Sequence, residues 1–464
     1  MTDPADLSAA ELRDLYAARL LSPVESVRAV LRRIEERQAV FNAFRLVDAD
    51  RALEQARASE ARWSRGAPLG VLDGVPVTFK DLLDVKGWPT RRGSLATPDA
   101  PADDDSPAAA RLREAGAVFL GKTNTAEFGW KSVTESRLAG VTRNPWNAEH
   151  TPTGSSGGAA VAAALGLGPL HVATDGGGSV RVPASACGVF GLKPSYGRVP
   201  GYPPAFNGTL FHIGPIARTV TDAALLLNVI SGYDVRDWTS LPEDRRDWRA
   251  CLGQGVRGLR IAYSRTLGYA AVAPEILAVV DRAVEAFSEC GASVERCDPG
   301  FADPGPILEV FAAERAARLR SDIPADRYPL VDVELREAAH RAERFTLSDY
   351  VAAADARMRL AIQMRRFHEH YDVLLTPTMT GSVPKVGARS DGALCVPFNL
   401  TQQPAASVPC GFDHQGLPVG LQIVAPPHRD DLVFRAARAY EAQHPFRLPS
   451  RPRFDEAELV CASL

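Results

Sequence analysis

The chain has 464 residues, 45% apolar and 23% charged, with a net charge of −3 and a pI near 6.3. That balance is typical of a globular protein with ample material for a core, and the length allows one large domain or two to three ordinary ones. No block of Lys or Arg marks a nucleic-acid or anionic-membrane footprint, and no apolar run approaches the ~20 residues that span a bilayer. The N-terminus MTDPADLSAAELRDL is acidic and polar, unlike a secretion signal. Seven scattered cysteines (187, 251, 290, 297, 395, 410 and 461) include no C-x-x-C pair, so reduced thiols and a cytoplasmic location are expected.

In chain order, the first 65 residues predict three amphipathic helices. Ser8 caps the first, with an apolar stripe of Leu12, Leu15, Tyr16, Ala18 and Leu20. Ser22-Pro23 opens the second, with Val27, Val30, Leu31 and Ile34 at helical spacing, and residues 48–63 give the third. From residue 66 the texture changes to short apolar strands, glycines and helices around Val75–Phe79, Ala117–Leu120, Ala159–Gly166 and His171–Thr174. Such alternation predicts an α/β fold, a mixed and mostly parallel sheet with helices on both faces. Arg218–Ile230 is a helix capped by Thr219 or Thr221. Residues 233–370 are more polar and largely helical, broken at Pro304, Pro306, Pro324 and Pro329, and look like an insertion that covers something. Strands at Val373–Thr376, Ala406–Pro409 and Gly420–Val424 and a helix at Leu432–Glu441 close the chain. There is no repeat and no low-complexity linker, so one domain over 1–464 is favoured. Its parts would be N-terminal helices (1–65), a catalytic core (66–232), a pocket-covering region (233–370) and C-terminal strands with a helix (371–464).

GAVFLGKT (116–123) fits the phosphate-loop pattern G-x-x-x-x-G-K-[ST] and raises a nucleotide-binding reading. The four apolar residues between its glycines argue instead for a buried strand after a helix that Gly116 terminates. His368, Glu369 and His370 are the one dense His/acid cluster, but an i, i+2 pair does not share a helix face, and no metal site is expected. Two glycine–serine stretches stand out: TGSSGG from Thr153, leading into an alanine-rich helix, and DGGGSVR from Asp175 to Arg181. Each reads alone as a flexible loop or tight turn; glycine runs also let backbone N–H groups turn toward an anion, either a phosphate or the oxyanion of an acyl-transfer intermediate. Lys80 ends the apolar strand in GVPVTFKD, where burial favours the neutral amine. No histidine lies in either stretch, so a serine hydrolase here would need a Ser–Lys variant of the catalytic triad.

These segments resemble the amidase signature enzymes. The likeness runs from ELRDLYAARLLSPVESVRAVLRRIEE through GLPVGLQIVAP and is densest in GVPVTFKD, GAVFLGKTNTAEFGW, TRNPWN, GSSGG, TDGGGSVRVPASACGVFGLKPSYGRVP and GPIARTV. Lys80, Ser155 and Ser179 also keep the family's spacing of 75 and 24 residues. The resemblance implies a cofactor-independent, metal-free amide hydrolase, with Ser179 as nucleophile and Ser155, after a cis peptide bond, as the bridging serine. Lys80 would be the base, and the N–H groups of Gly176, Gly177, Gly178 and Ser179 the oxyanion hole. Ser156, Asp175 and Arg181 would support them, Asp175 pairing with Arg181. By the same likeness GAVFLGKTN is a structural strand and turn.

Three positions depart from the family pattern: Gly176 where many members have Thr, Thr153 beside the bridging serine where Gly is usual, and Phe211-His212 where an Asp often begins the segment. The last implies a more apolar pocket wall. Phe128, Trp130, Tyr202, Phe206 and Phe211 are candidates to line it around an uncharged or aryl amide, each equally readable as core packing. Carbamates and esters stay open, as does a homodimer. The rival reading on the same signature is a glutamine amidotransferase subunit that releases ammonia for a partner.

Overall fold

The computed structural model describes residues 2–205, 208–244, 246–445 and 448–449. Helices α1 (Ala9–Ala17), α2 (Pro23–Phe41) and α3 (Ala49–Ser64) open the chain where their caps place them. Ser8 with Glu11, and Ser22 with Glu25, form reciprocal capping boxes, and Asp48 caps α3. The first helix is shorter than its apolar stripe suggests. Arg19 turns left-handed at φ 58°, and the N–H groups of Arg19 and Leu20 donate back to the carbonyls of Tyr16 and Leu15. Ala18 is therefore the cap, and Leu20 is 76% exposed.

Strand β1 (Phe44–Val47), unanticipated, joins α2 to α3. Then come β2 (Pro76–Lys80), α4 (Pro107–Glu114), β3 (Val118–Thr123) and a small ribbon of β4 (Glu135–Ser136) and β5 (Gly140–Val141). The alanine-rich run forms α5 (Gly157–Ala164), ahead of β6 (Leu170–Asp175), α6 (Arg181–Cys187), β7 (Phe190–Lys193) and β8 (His212–Ala217). Helix α7 (Val220–Ile230) starts after Arg218, with Thr219 as its cap and Thr221 inside it. Residues 233–370 hold α8 (Pro274–Glu289), α9 (Gly305–Asp322), α10 (Val333–Ala342) and α11 (Leu347–His370). They also hold two sheet strands that the polar texture hid, β9 (Arg260–Tyr263) and β10 (Ser293–Arg296). The second is an exposed edge strand, with no apolar alternation to announce it. The C-terminal part supplies β11 (Val373–Pro377), α12 (Val396–Leu400), β12 (Ala405–Phe412), β13 (Pro418–Val424) and α13 (Asp430–Gln443).

Eleven strands make one mixed sheet, in the order β1-β3-β2-β6-β8-β7-β12-β13-β11-β9-β10. The parallel pairing that the alternation predicts lies toward its flanks, in β3-β2-β6 and β11-β9-β10. The strands between them pair antiparallel. Helices cover both faces, as β3 shows. Phe119 packs with Leu12, Leu112 and Leu226 on one side, while Val118 and Leu120 pack with Val30 and Val161 on the other.

GAVFLGKT builds no phosphate cradle. Its core is the buried strand β3, and Lys122 donates to the Leu83 carbonyl at 2.6 Å and to Thr90 Oγ1 at 2.7 Å, with Asp81 3.8 Å away. Gly121 is required by β1: at φ 155°, an added Cβ would lie 1.9 Å from the Leu46 carbonyl oxygen. Gly121→Ala is expected to push β1 off β3 and destabilise the protein by about 1–3 kcal/mol, read as a lower melting temperature.

Candidate active site

Strands β2 and β6 are parallel neighbours, so their C-terminal ends reach the same edge of the sheet. Lys80 is the last residue of β2, and DGGGS leaves the end of β6 for α6. The GSSGG loop enters α5, and the Ser156 N–H donates to the Ser179 carbonyl at 3.2 Å, which ties the two glycine–serine stretches together.

The Lys80 amine is buried at their junction. It lies 2.7 Å from Ser155 Oγ, 2.7 Å from Ser156 Oγ, 2.9 Å from Thr174 Oγ1 and 3.4 Å from the Thr174 carbonyl. All four are neutral oxygens. Burial holds the amine well below the ordinary lysine range, against the opposing pull of the Asp175 carboxylate. Ser156 Oγ donates onward to the Thr174 carbonyl at 3.0 Å. Thr174 is a member of this cluster that the sequence did not single out.

The Gly154–Ser155 peptide bond is cis. The glycines around it permit close packing: an added Cβ would lie 2.6 Å from Val133 C at Gly154, 2.3 Å from Thr134 Oγ1 at Gly157 and 2.5 Å from Asn124 N at Gly158. Thr153 adopts φ 62°, the left-handed region where glycine is the easier residue. Thr134 holds it by donating to the Thr153 carbonyl at 2.8 Å while accepting from the Gly157 N–H at 2.9 Å.

A buried ion pair stiffens the second loop. The Asp175 carboxylate accepts from Arg181 Nε and Nη2, both at 3.0 Å, from the N–H groups of Gly178 (2.7 Å) and Val180 (3.1 Å), and from Asn399 Nδ2 (3.0 Å). Arg181 also donates to Gln422 Oε1 at 2.7 Å, Asn399 Oδ1 at 2.6 Å and the Cys395 carbonyl at 3.0 Å. Burial alone would raise the Asp175 carboxyl, but the guanidinium holds it well below the usual carboxylate range. Asn399 and Gln422 were invisible to motif reading, because α12 and β13 bring them from more than 200 residues away.

The loop's N–H groups are not equivalent. Gly178 donates to Asp175, which takes it out of the expected set of oxyanion donors. Among the described residues, no hydrogen bond engages the N–H of Gly176, Gly177 or Ser179. Those three lie in the partly exposed part of the loop, which opens on a cavity of about 380 Å³.

Trp130 and Lys131 line this cavity, together with Leu308, Ala312, Arg315 and Ala316 of α9 and Leu335, Ala338 and Ala339 of α10. Phe128, Tyr202 and Phe211 do not; they surround a separate hollow of about 30 Å³ with Leu82 and Arg92. Phe206 lies outside the described residues. Of the four candidate aromatics described, Trp130 alone shares a cavity with Ser179, whose wall is otherwise built largely from small residues of distant helices. His212, beside Phe211, is buried with its Nδ1 2.8 Å from the Leu210 carbonyl, and burial keeps it neutral. At the end of α11, His368 Nδ1 faces the Tyr371 carbonyl at 2.9 Å, and no group of three potential metal ligands occurs among the described residues.

The sequence matches the amidase family over residues 25–434. This chain belongs to the amidase family. An acylamidase of Rhodococcus erythropolis is 38% identical, with 95% of this chain and 96% of that protein aligned. A glutamyl-tRNA(Gln) amidotransferase subunit of Moorella thermoacetica is also 38% identical, over 94% and 96%. The crystal structure of a bacterial aryl acylamidase of the amidase signature family superposes with a TM-score of 0.88 at 31% identity, covering 95% and 96% of the two chains. The amidase signature resemblance therefore holds, and the protein is an amide hydrolase of that family.

In this amidase, Asp175→Asn would leave the buried Arg181 cation without its counter-charge. A loss of about 3–5 kcal/mol is expected, measurable by chemical denaturation. Because the folded Asp175 carboxyl is depressed, its contribution is complete above the unfolded value near ~3.9 and fades only as pH falls through the lower folded value. Wild-type loop structure is therefore expected to persist at pH 4.

Proposed function

We propose that this amidase cleaves small amides through an acyl-enzyme on Ser179. The observation that carries the reading is the buried Lys80 amine held only by neutral oxygens. A neutral amine has two N–H donors and one lone pair. Ser156 Oγ and Thr174 Oγ1 accept the two donors, which leaves the lone pair for the Ser155 O–H at 2.7 Å.

In this scheme Ser155 passes its proton to Lys80 as it takes one from Ser179, whose oxygen attacks the amide carbonyl. The N–H groups of Gly176, Gly177 and Ser179 receive the negative charge on the tetrahedral oxygen. Ser155 then returns a proton to the leaving amine, and water, deprotonated by the same relay, frees the acid. Asp175 and Arg181 touch none of the reacting atoms; they hold the loop that does.

The cavity wall supports a substrate with an apolar body of aryl size, since about 380 Å³ is at the small end for ligand sites and α9 and α10 line it mainly with Leu and Ala. Anilides and short aliphatic amides fit that description, and carbamates or esters share the carbonyl geometry. The names of the acylamidase relatives point the same way. The amidotransferase relative carries a second reading, glutamine hydrolysis coupled to a partner; ammonia release from glutamine that requires added partner subunits would favour it.

With a 4-nitroanilide substrate, Ser179→Ala is expected to lower kcat by at least about 10³-fold and Lys80→Met by about 10²–10⁴-fold. Full activity in either variant would contradict the scheme. Because the neutral amine is the competent form, wild-type kcat/KM should rise with pH through a single ionisation that lies well below the ordinary lysine range.

A further inference from the structure

Of the two cations on the cavity wall, Lys131 and Arg315, only Arg315 has no counter-charge among the described residues. The other charged groups on the wall have partners: Lys131 lies 2.9 Å from Glu135, Glu309 pairs with Arg344 at 2.9 Å, and Asp391 accepts from Thr380 Oγ1 at 2.7 Å. No carboxylate lies within ion-pair distance of Arg315 among the described residues. Its single hydrogen bond there is a long one, from Nη1 to the Trp130 carbonyl at 3.4 Å, and its Nε is buried with no acceptor. The indole Nε1 of Trp130, on the same cavity, is also buried and without an acceptor. A guanidinium offers five N–H donors, and buried donors are nearly always satisfied. Burial lowers Arg315 only to about 10, so it stays charged at neutral pH. Two side chains that carry orphaned buried donors, one of them cationic, thus border a mainly apolar cavity.

We propose that the substrate of this amidase carries a carboxylate, bound by Arg315 and the Trp130 indole N–H, in addition to the amide that Ser179 attacks. The inference rests on the amide-hydrolysis reading and replaces the expectation of a wholly uncharged substrate. The apolar body would lie against α9 and α10, with the anion at the guanidinium. Planar guanidinium and carboxylate groups match in a paired geometry that an apolar wall cannot offer.

The test uses two matched pairs of anilides in which only the charge changes. On the acyl side these are the mono-4-nitroanilide of glutaric acid and the 4-nitroanilide of pentanoic acid. On the amine side they are 4-acetamidobenzoate and 4-acetamidotoluene. In at least one pair the acid is expected to show kcat/KM about tenfold or more above its neutral partner, chiefly through KM. Arg315→Met should collapse that ratio by at least about tenfold, Arg315→Lys should keep part of it, and Trp130→Phe should lower it. Equal or lower rates for the acid in both pairs, or a ratio that Arg315→Met leaves unchanged while both rates fall together, would overturn the proposal. A protein that cleaves none of the four fails the substrate reading separately. The carboxylate site is then read by thermal stabilisation with glutarate and 4-aminobenzoate, and absence of any Arg315-dependent stabilisation overturns it.

Discussion

The proposed mechanism depends on one constraint: a lysine amine taken out of water at the end of a central strand and surrounded by neutral oxygens. A cation there would forfeit hydration with no carboxylate in its hydrogen-bond shell to compensate, so burial selects the free base. Lys122 and Lys193 are also buried, yet they donate to main-chain carbonyls and serve the fold. What distinguishes Lys80 is a serine hydroxyl at 2.7 Å on a loop joined to the partly exposed Ser179 loop.

Holding that geometry accounts for much of the surrounding architecture. The parallel pairing of β2 with β6 delivers Lys80 and the DGGGS loop to one edge of the sheet. The Asp175–Arg181 pair, extended through Asn399 and Gln422, fixes the turn into α6 and consumes the Gly178 N–H as it does so. Gly154, before α5, and Gly157 and Gly158, at its start, serve a different purpose, letting this segment press against residues 124–134. A full network of this kind is costly to disturb, because each buried member depends on the others for its partners. By contrast, the walls from α9 and α10 are mainly Leu and Ala, with Glu309 and Arg315 among them, and none of these residues belongs to the network.

The sequence was most legible where chemistry and packing act locally. Ser8 and the Ser22-Pro23 pair marked helix starts, and apolar runs marked β2, β3 and β6. The family resemblance grouped Lys80, Ser155, Ser179, Asp175 and Arg181 from their motifs. Long-range contacts were hidden. Thr174, Asn399 and Gln422 carry no local signature, and their roles exist only once β6, α12 and β13 converge. β10 escaped because a short strand at a sheet edge does not need apolar alternation, and β9, one strand further in, is only four residues long. Of the candidate pocket aromatics, Trp130 lines the cavity while Phe128, Tyr202 and Phe211 surround their own small hollow, and Arg315 comes from a helix that looked merely polar.

The central claim is that Lys80 acts as a neutral base that activates Ser179 through Ser155. The most direct measurement is the rate of labelling by a small fluorophosphonate as a function of pH, with the modified peptide identified by mass spectrometry, for wild type and Lys80→Met. The account predicts a single adduct on Ser179, a rate that rises through one ionisation below the ordinary lysine range, and a slow, flat profile in the variant. An adduct elsewhere, or an unchanged rate and profile in Lys80→Met, would contradict it.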